Sequence, residues 1–165
     1  DRLGRFPPRG ARLRKEAVDH TAIERCQKAV GYTFKDPSLL ALALTHSSVA
    51  NTRLESNERM EFLGDAVLGL VVCHELYERF TDLLEGQMTK IKSAVVSRKT
   101  CSEIAESTGI SDSLVLGKGM PTPGKLPQSV SAAVFESITG AIYLDGRGAS
   151  AVYRAAPVER DPGAD

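Results

Sequence analysis

The sequence predicts an all-α domain, and three observations carry that expectation. Helix start and stop residues recur along the chain. No run alternates apolar and polar residues over the length of a strand. Two apolar-rich stretches, near 58–80 and 129–144, are longer than strands usually run. At 165 residues the chain has the size of one domain, and its 42% hydrophobic and 25% charged residues match an ordinary globular protein. Disorder along the whole length and a collagen-like architecture are thereby excluded.

The elements follow in order. Residues 1–20 (DRLGRFPPRGARLRKEAVDH) carry six Arg and Lys, two Pro and two Gly, and read as a flexible, solvated basic arm. Thr21 and Glu24 have capping-box spacing for a first helix, which Gly31 stops. Asp36 followed by Pro37 starts a second, carrying Leu39, Leu40, Leu42 and Leu44 and ending near Thr45-His46-Ser47-Ser48. A long helix is expected from about Glu58 to Phe80, apolar nearly all round and therefore mostly buried. A fourth runs from Glu85-Gly86 to Val96. Ser97 caps a fifth, Arg98 to Ser107, ended by Gly109. Residues 117–128 (GKGMPTPGKLPQ) hold three Gly and three Pro and form a loop. A last long helix spans about Ser129 to Leu144, stopped by Asp145-Gly146. Residues 147–165 show no convincing apolar stripe, and at most one weak turn of helix is expected before a frayed tail.

Charge and cysteine content narrow the function classes. Twenty-one basic residues balance twenty-one acidic ones, so contact with nucleic acid would have to rest on a local patch. Cys26, Cys73 and Cys101 form neither a CxxC pair nor a disulfide framework, and read as reduced thiols of a cytoplasmic protein. The longest apolar run, Ala66 to Cys73, is too short to cross a bilayer, and no secretory signal is visible.

The chemistry lies in two helices. At about 100° per residue, Glu58, Glu61 and Asp65 fall within roughly 60° of one another on a helix of otherwise apolar character. Two readings meet this pattern equally well: an amphipathic helix with an acidic edge, or carboxylates gathered round a cation. In SAAVFESITGAIYL, Glu136 is the one acid, and the small residues around it allow close approach of another helix. Should the two helices cross, the site is all oxygen, which suits Mg²⁺ or Mn²⁺. His20, His46 and His74 lack zinc-ligand spacing. A di-iron bundle needs Glu-x-x-His pairs, which are absent. GKGM lacks the strand and spacing of a nucleotide-binding loop.

ERMEFLGDAVLG closely resembles the signature of the ribonuclease III family, endonucleases of double-stranded RNA. FESITGAIYLDG resembles that family's second catalytic segment. EGQMTKIKSAVVS, LVLGKGM and LLALALTHSS are similar to its remaining segments in the same order, so the likeness covers roughly Ala22 to Gly146. The resemblance implies a helical endonuclease domain over 21–146, acting as a homodimer in which each subunit's acidic cluster hydrolyses one strand with a divalent ion. It places Glu61, Asp65 and Glu136 as metal ligands, with Glu58, Asp65 and Glu136 catalytic. It assigns Glu85 as a secondary acid near the partner's site, and Phe62 as the aromatic that plugs into the partner. Plain core packing is the competing expectation for Phe62.

Two departures from the family pattern stand out. Ala133 occupies the position where the family's second segment carries an aspartate, one turn before its glutamate. Residues 147–165 show neither the family's further amphipathic helix nor a recognisable double-stranded-RNA-binding domain. Ala133 favours a competing function, a catalytically impaired duplex-RNA-binding or scaffold module. Intact Glu58, Glu61, Asp65 and Glu136 favour the enzyme.

Overall fold

The stretch from Gln128 to Gly146 is apolar or small on most sides, and in the computed structural model it forms the helix around which the others pack. The structure describes residues 18–121 and 126–155. Helices α1 (His20–Val30), α2 (Pro37–Ala43), α3 (Glu58–Arg79), α4 (Glu85–Val95), α5 (Arg98–Ser107), α6 (Gln128–Gly146) and α7 (Ala149–Ala155) follow in order. Single 3₁₀ turns lie at Arg53–Glu55 and Ile110–Ser113. Among the described residues there is no strand, only one isolated parallel bridge between Thr45 and Val115. The all-α expectation holds.

Local chemistry sets most boundaries. The Asp36 carboxylate accepts from Ser38 N–H at 3.1 Å, and Pro37 opens α2 with a fixed φ. The Ser97 hydroxyl accepts from Thr100 N–H at 3.2 Å and starts α5. Gly31 ends α1 in the left-handed region, at φ 63°. One cap differs from expectation. Asp19, not Thr21, caps α1, its carboxylate accepting from Thr21 N–H at 3.3 Å. The last residues of the expected basic arm thus belong to α1, and residues 1–17 lie outside the described ones.

The core forms where α6 (Val134, Ile138, Ala141, Ile142) meets Leu40, Ala43 and Leu44, Met60 and Val67, Ala105, and Ile110 and Leu114. Asp145, near the end of α6, ties this core to the turn between α1 and α2. Its carboxylate accepts from the Tyr32 hydroxyl at 2.8 Å and from the Lys35 and Asp36 N–H groups at 2.9 Å. Burial alone would raise its pKa; those three hydrogen bonds and the Lys35 charge bring it below the ordinary value instead.

Two expectations are corrected. The irregular tail from 147 does not begin there: α7 spans Ala149–Ala155 and buries Ala151, Val152 and Ala155 against α6 and α3. Its buried stripe is small rather than strongly apolar, and Gly146 lets it turn back, since a Cβ on Gly146 would stand 2.1 Å from that of Ala151. Residues 156–165 lie outside the described ones. Nor is α3 buried nearly all round: only Met60, Gly64, Val67 and Leu76 are buried. Phe62 (82% exposed), Leu70 (57%) and Tyr77 (71%) form an apolar stripe on its outer side.

Candidate active site

The site is made by the crossing of α3 and α6, and two glycines set how close the helices come. A Cβ built on Gly64 would lie 1.7 Å from the Glu136 carbonyl oxygen and 2.9 Å from the Gly140 nitrogen. One on Gly140 would lie 2.5 Å from the Met60 carbonyl oxygen. Backbone therefore meets backbone. The Ser137 hydroxyl adds a link across the crossing, 3.3 Å from the Asn57 carbonyl at the head of α3, while also 2.7 Å from Ala133 O in its own helix.

Gly64 has Glu61 one turn before it and Asp65 next to it, so the crossing sets Glu136 beside both acids. Their electrostatics record the meeting. Burial, then the Asp65 and Glu61 charges, push the Glu136 carboxyl up to about 7, with Arg98 opposing. Burial and the Glu58 charge raise Glu61, again against Arg98, with Asp65 adding to the rise. Behind the acids, burial together with Glu136 and Asp65 pushes the Cys101 thiol up to about 11, so it stays protonated at neutral pH and offers no thiolate. Glu58 stands at the outer edge, half-buried, with Arg53 3.9 Å away on the surface.

Sequence spacing brought Glu58, Glu61, Asp65 and Glu136 forward, and the fold gathers them within electrostatic reach. It does not close them into a cage: among the described residues no three His, Cys, Asp or Glu side chains stand ready to hold a metal. Uncompensated carboxylates repel, while the glycine crossing fixes the backbone beneath them. The donor set is all oxygen and crowded with negative charge, and so fits a hard divalent cation and not a soft one. Ala133 lies half-buried one turn before Glu136. Glu85 opens α4, exposed, its carboxylate accepting from the Thr89 hydroxyl within that helix at 2.7 Å. Phe62 points outward on α3, away from the core. Arg98, the first residue of α5, is the cation of this valley; only the cap at Ser97, which sets where α5 starts, hints at it in sequence.

A family model described as ribonuclease-III-like matches residues 36–156. The chain belongs to the ribonuclease III-like family. Within that family it is 50% identical over 124 residues to ribonuclease 3 of Rhodopirellula baltica, covering 75% of this chain and 47% of that protein. To ribonuclease 3 of Symbiobacterium thermophilum it is 47% identical over 123 residues, 73% of this chain and 52% of the relative. The chain thus spans about half the length of these curated relatives. A solved nuclease domain of ribonuclease III from Campylobacter jejuni, described for flexibility in a region involved in dimer formation, superposes with a TM-score of 0.70 at 35% identity. The match covers 81% of this chain and 94% of that domain. Dicer from Pichia stipitis superposes at 0.53 with 29% identity, over 68% of this chain and 47% of that one. Membership accounts for the helical fold.

Proposed function

We propose that the protein is a metal-dependent endoribonuclease that hydrolyses phosphodiester bonds in double-stranded RNA and works as a homodimer. The observation that carries this reading is the backbone-to-backbone crossing of α3 and α6 at Gly64 and Gly140, which brings the Glu136 carboxyl near Glu61 and Asp65, where burial and their charges push it up to about 7. A group placed so has a standing demand for a cation.

Glu61, Asp65 and Glu136 would hold the ion, Mg²⁺ with Mn²⁺ as a substitute. When bound, it supplies an activated water and neutralises charge developing on the scissile phosphate. Glu58, at the rim, together with Asp65 and Glu136, is suited to order a water or accept its proton. Arg98, facing Glu61 and Glu136, offers a positive charge to the phosphate backbone. Duplex RNA is selected by A-form shape through phosphate and 2′-hydroxyl contacts.

The exposed stripe Phe62, Leu70 and Tyr77, together with α4, which buries none of its residues in its own subunit, supports the homodimer. Phe62 is the anchor against the partner, and Glu85 is a secondary acid near the partner's site. Ala133 removes one carboxylate from the valley and lowers the rate without removing the three ligands. Among the described residues, no helix is long and apolar enough to cross a membrane.

Incubation with perfect duplex RNA and Mg²⁺, repeated with EDTA and with single-stranded RNA, tests the reading. Cleavage of the duplex that EDTA abolishes is expected. An intact duplex at all Mg²⁺ concentrations would overturn it.

A further inference from the structure

A hydrogen-bonded clamp outside the acidic cluster holds the loop that begins at Gly117. The Ser48 N–H donates to His46 Nδ1 at 3.1 Å, and the Ser48 hydroxyl lies 2.9 Å from the same nitrogen. A ring nitrogen that accepts a backbone N–H carries no proton, so the ring proton sits on Nε2 and the hydroxyl donates to Nδ1. With its proton committed, Ser48 Oγ accepts from Gly117 N–H at 2.8 Å. The contact leaves no room for a side chain: a Cβ on Gly117 would stand 2.8 Å from Ser48 O and 3.1 Å from Ser48 Oγ.

The same strip touches the site from its other side. Val115 N–H donates to Leu44 O at 2.8 Å and His46 N–H to Val115 O at 3.2 Å, while Asn57 N–H, at the head of α3, donates to Thr45 O at 2.9 Å. Residues 44–48 therefore lie between the loop and the turn that presents Glu58, whose charge His46 also feels. The loop's Lys118 is exposed and forms no ion pair among the described residues.

We propose that His46 and Ser48 are positioning residues that clamp the Gly117–Pro121 loop beside the Glu58 edge, so that Lys118 meets a phosphate of the duplex backbone. This rests on the duplex-RNA reading above. The clamp works by preorganisation: a lysine on a fixed loop loses less freedom on binding than one on a loose loop. It acts on substrate binding and leaves the chemistry at the acids untouched.

The test uses the whole chain as Ser48→Ala, His46→Ala, His46→Asn, Lys118→Ala and the Ser48→Ala/Lys118→Ala pair. The backbone bonds remain in every variant, so each should melt close to the parent. With Mg²⁺ and duplex RNA, Ser48→Ala, His46→Ala and Lys118→Ala should raise KM about five- to tenfold with kcat within about twofold. The pair should be no worse than the worse single variant. His46→Asn should restore KM, because the amide oxygen can accept where Nδ1 did. Without RNA or metal, trypsin should cut after Lys118 about tenfold faster in Ser48→Ala and His46→Ala but not in His46→Asn. Nicking and KM unchanged in Ser48→Ala and His46→Ala, or a full addition of the two losses in the pair, overturns the clamp. A parent protein that neither binds nor cleaves duplex RNA overturns the proposed function and the clamp's role with it. Variants that behave like an active parent overturn the clamp alone.

Discussion

Replacing Gly64 with alanine should cost more than the same change at any other described glycine. Its Cβ would meet the Glu136 carbonyl oxygen at 1.7 Å, where ordinary contact begins near 3.4 Å. The crossing must then open by about 1.7 Å, since the obstacle is backbone and no rotamer can move aside. Alanine gains about 1 kcal/mol over glycine in a helix interior. Against this stands about 4 kcal/mol, overpacking at or beyond the top of its usual range because backbone blocks backbone, together with the dispersion attraction lost as α3 and α6 separate. The net is a loss of about 3 kcal/mol, a large share of the roughly 5–15 kcal/mol that holds a domain together. In a domain of this size that lowers Tm by about 10 °C. The acids move with the helices: a displacement of Glu136 beyond 1 Å costs on the order of a hundredfold in cleavage rate. Melting followed by circular dichroism, and cleavage measured well below both Tm values, check the two effects separately. Gly86→Ala in α4 is the control, because a Cβ there meets nothing within 4 Å, and it should shift stability by no more than about 1 kcal/mol. A Gly64→Ala protein that melts within about 2 °C of the parent and cleaves at its rate would refute the backbone-to-backbone crossing.

Phe62→Ala should shift sedimentation toward monomer, with little change in the monomer's own stability because the ring is 82% exposed; a parent that sediments as a monomer at high concentration would sink the dimer. Ala133→Asp, one turn from Glu136, should raise Mg²⁺-dependent cleavage by roughly an order of magnitude. A flat rate with the fold intact would show that this position does not limit the chemistry. Asp145→Ala strands three donors and should cost about 2–4 kcal/mol at pH 7. Its folded carboxyl lies below the ordinary value, so the contribution is complete above about pH 4 and fades as pH falls through the folded value; a gap in Tm that failed to narrow in acid would count against it. Glu136→Gln should abolish cleavage and yet raise the Tm of the metal-free protein above pH 7. The folded carboxyl favours its proton up to about 7, so the parent loses stability as pH rises from about 4.5 to 7, on the order of 1 kcal/mol after solvent screening. Mg²⁺ should raise Tm in the parent and not in the variant.

What was legible in the sequence is what neighbouring residues decide among themselves. Asp36-Pro37 and Ser97 start helices because caps and a fixed φ act within one turn, and the acids of α3 share a face because their spacing is helical. Thr21 was the less apt cap because Asp19, just upstream, reaches the same first turn with a charged acceptor. α7 escaped because Ala151, Val152 and Ala155 bury little area each, and an alanine stripe resembles surface until something is seen to pack on it. The apolar character of α3 was plain, but hydrophobicity alone cannot say whose core it enters. Phe62, Leu70 and Tyr77 stay outside this subunit's core while Met60 and Val67 fill it.

The site divides along the same line. The identity of its acids is local information, whereas their mutual distance belongs to Gly64 and Gly140, on helices far apart in the chain. Neither glycine bears a functional group, yet together they convert two acidic helix faces into one valley. His46 and Ser48 stand in the same relation to Lys118. Each is ordinary by spacing, and the link becomes visible only once Gly117 is seen to close on Ser48. The acids can therefore be read from a pattern, while Arg98 and the small or neutral residues that set the geometry appear only in the fold. Substitutions at Gly64 and Gly140 should accordingly disable cleavage by moving the acids apart although no acid is replaced, while one at Gly117 should weaken substrate binding.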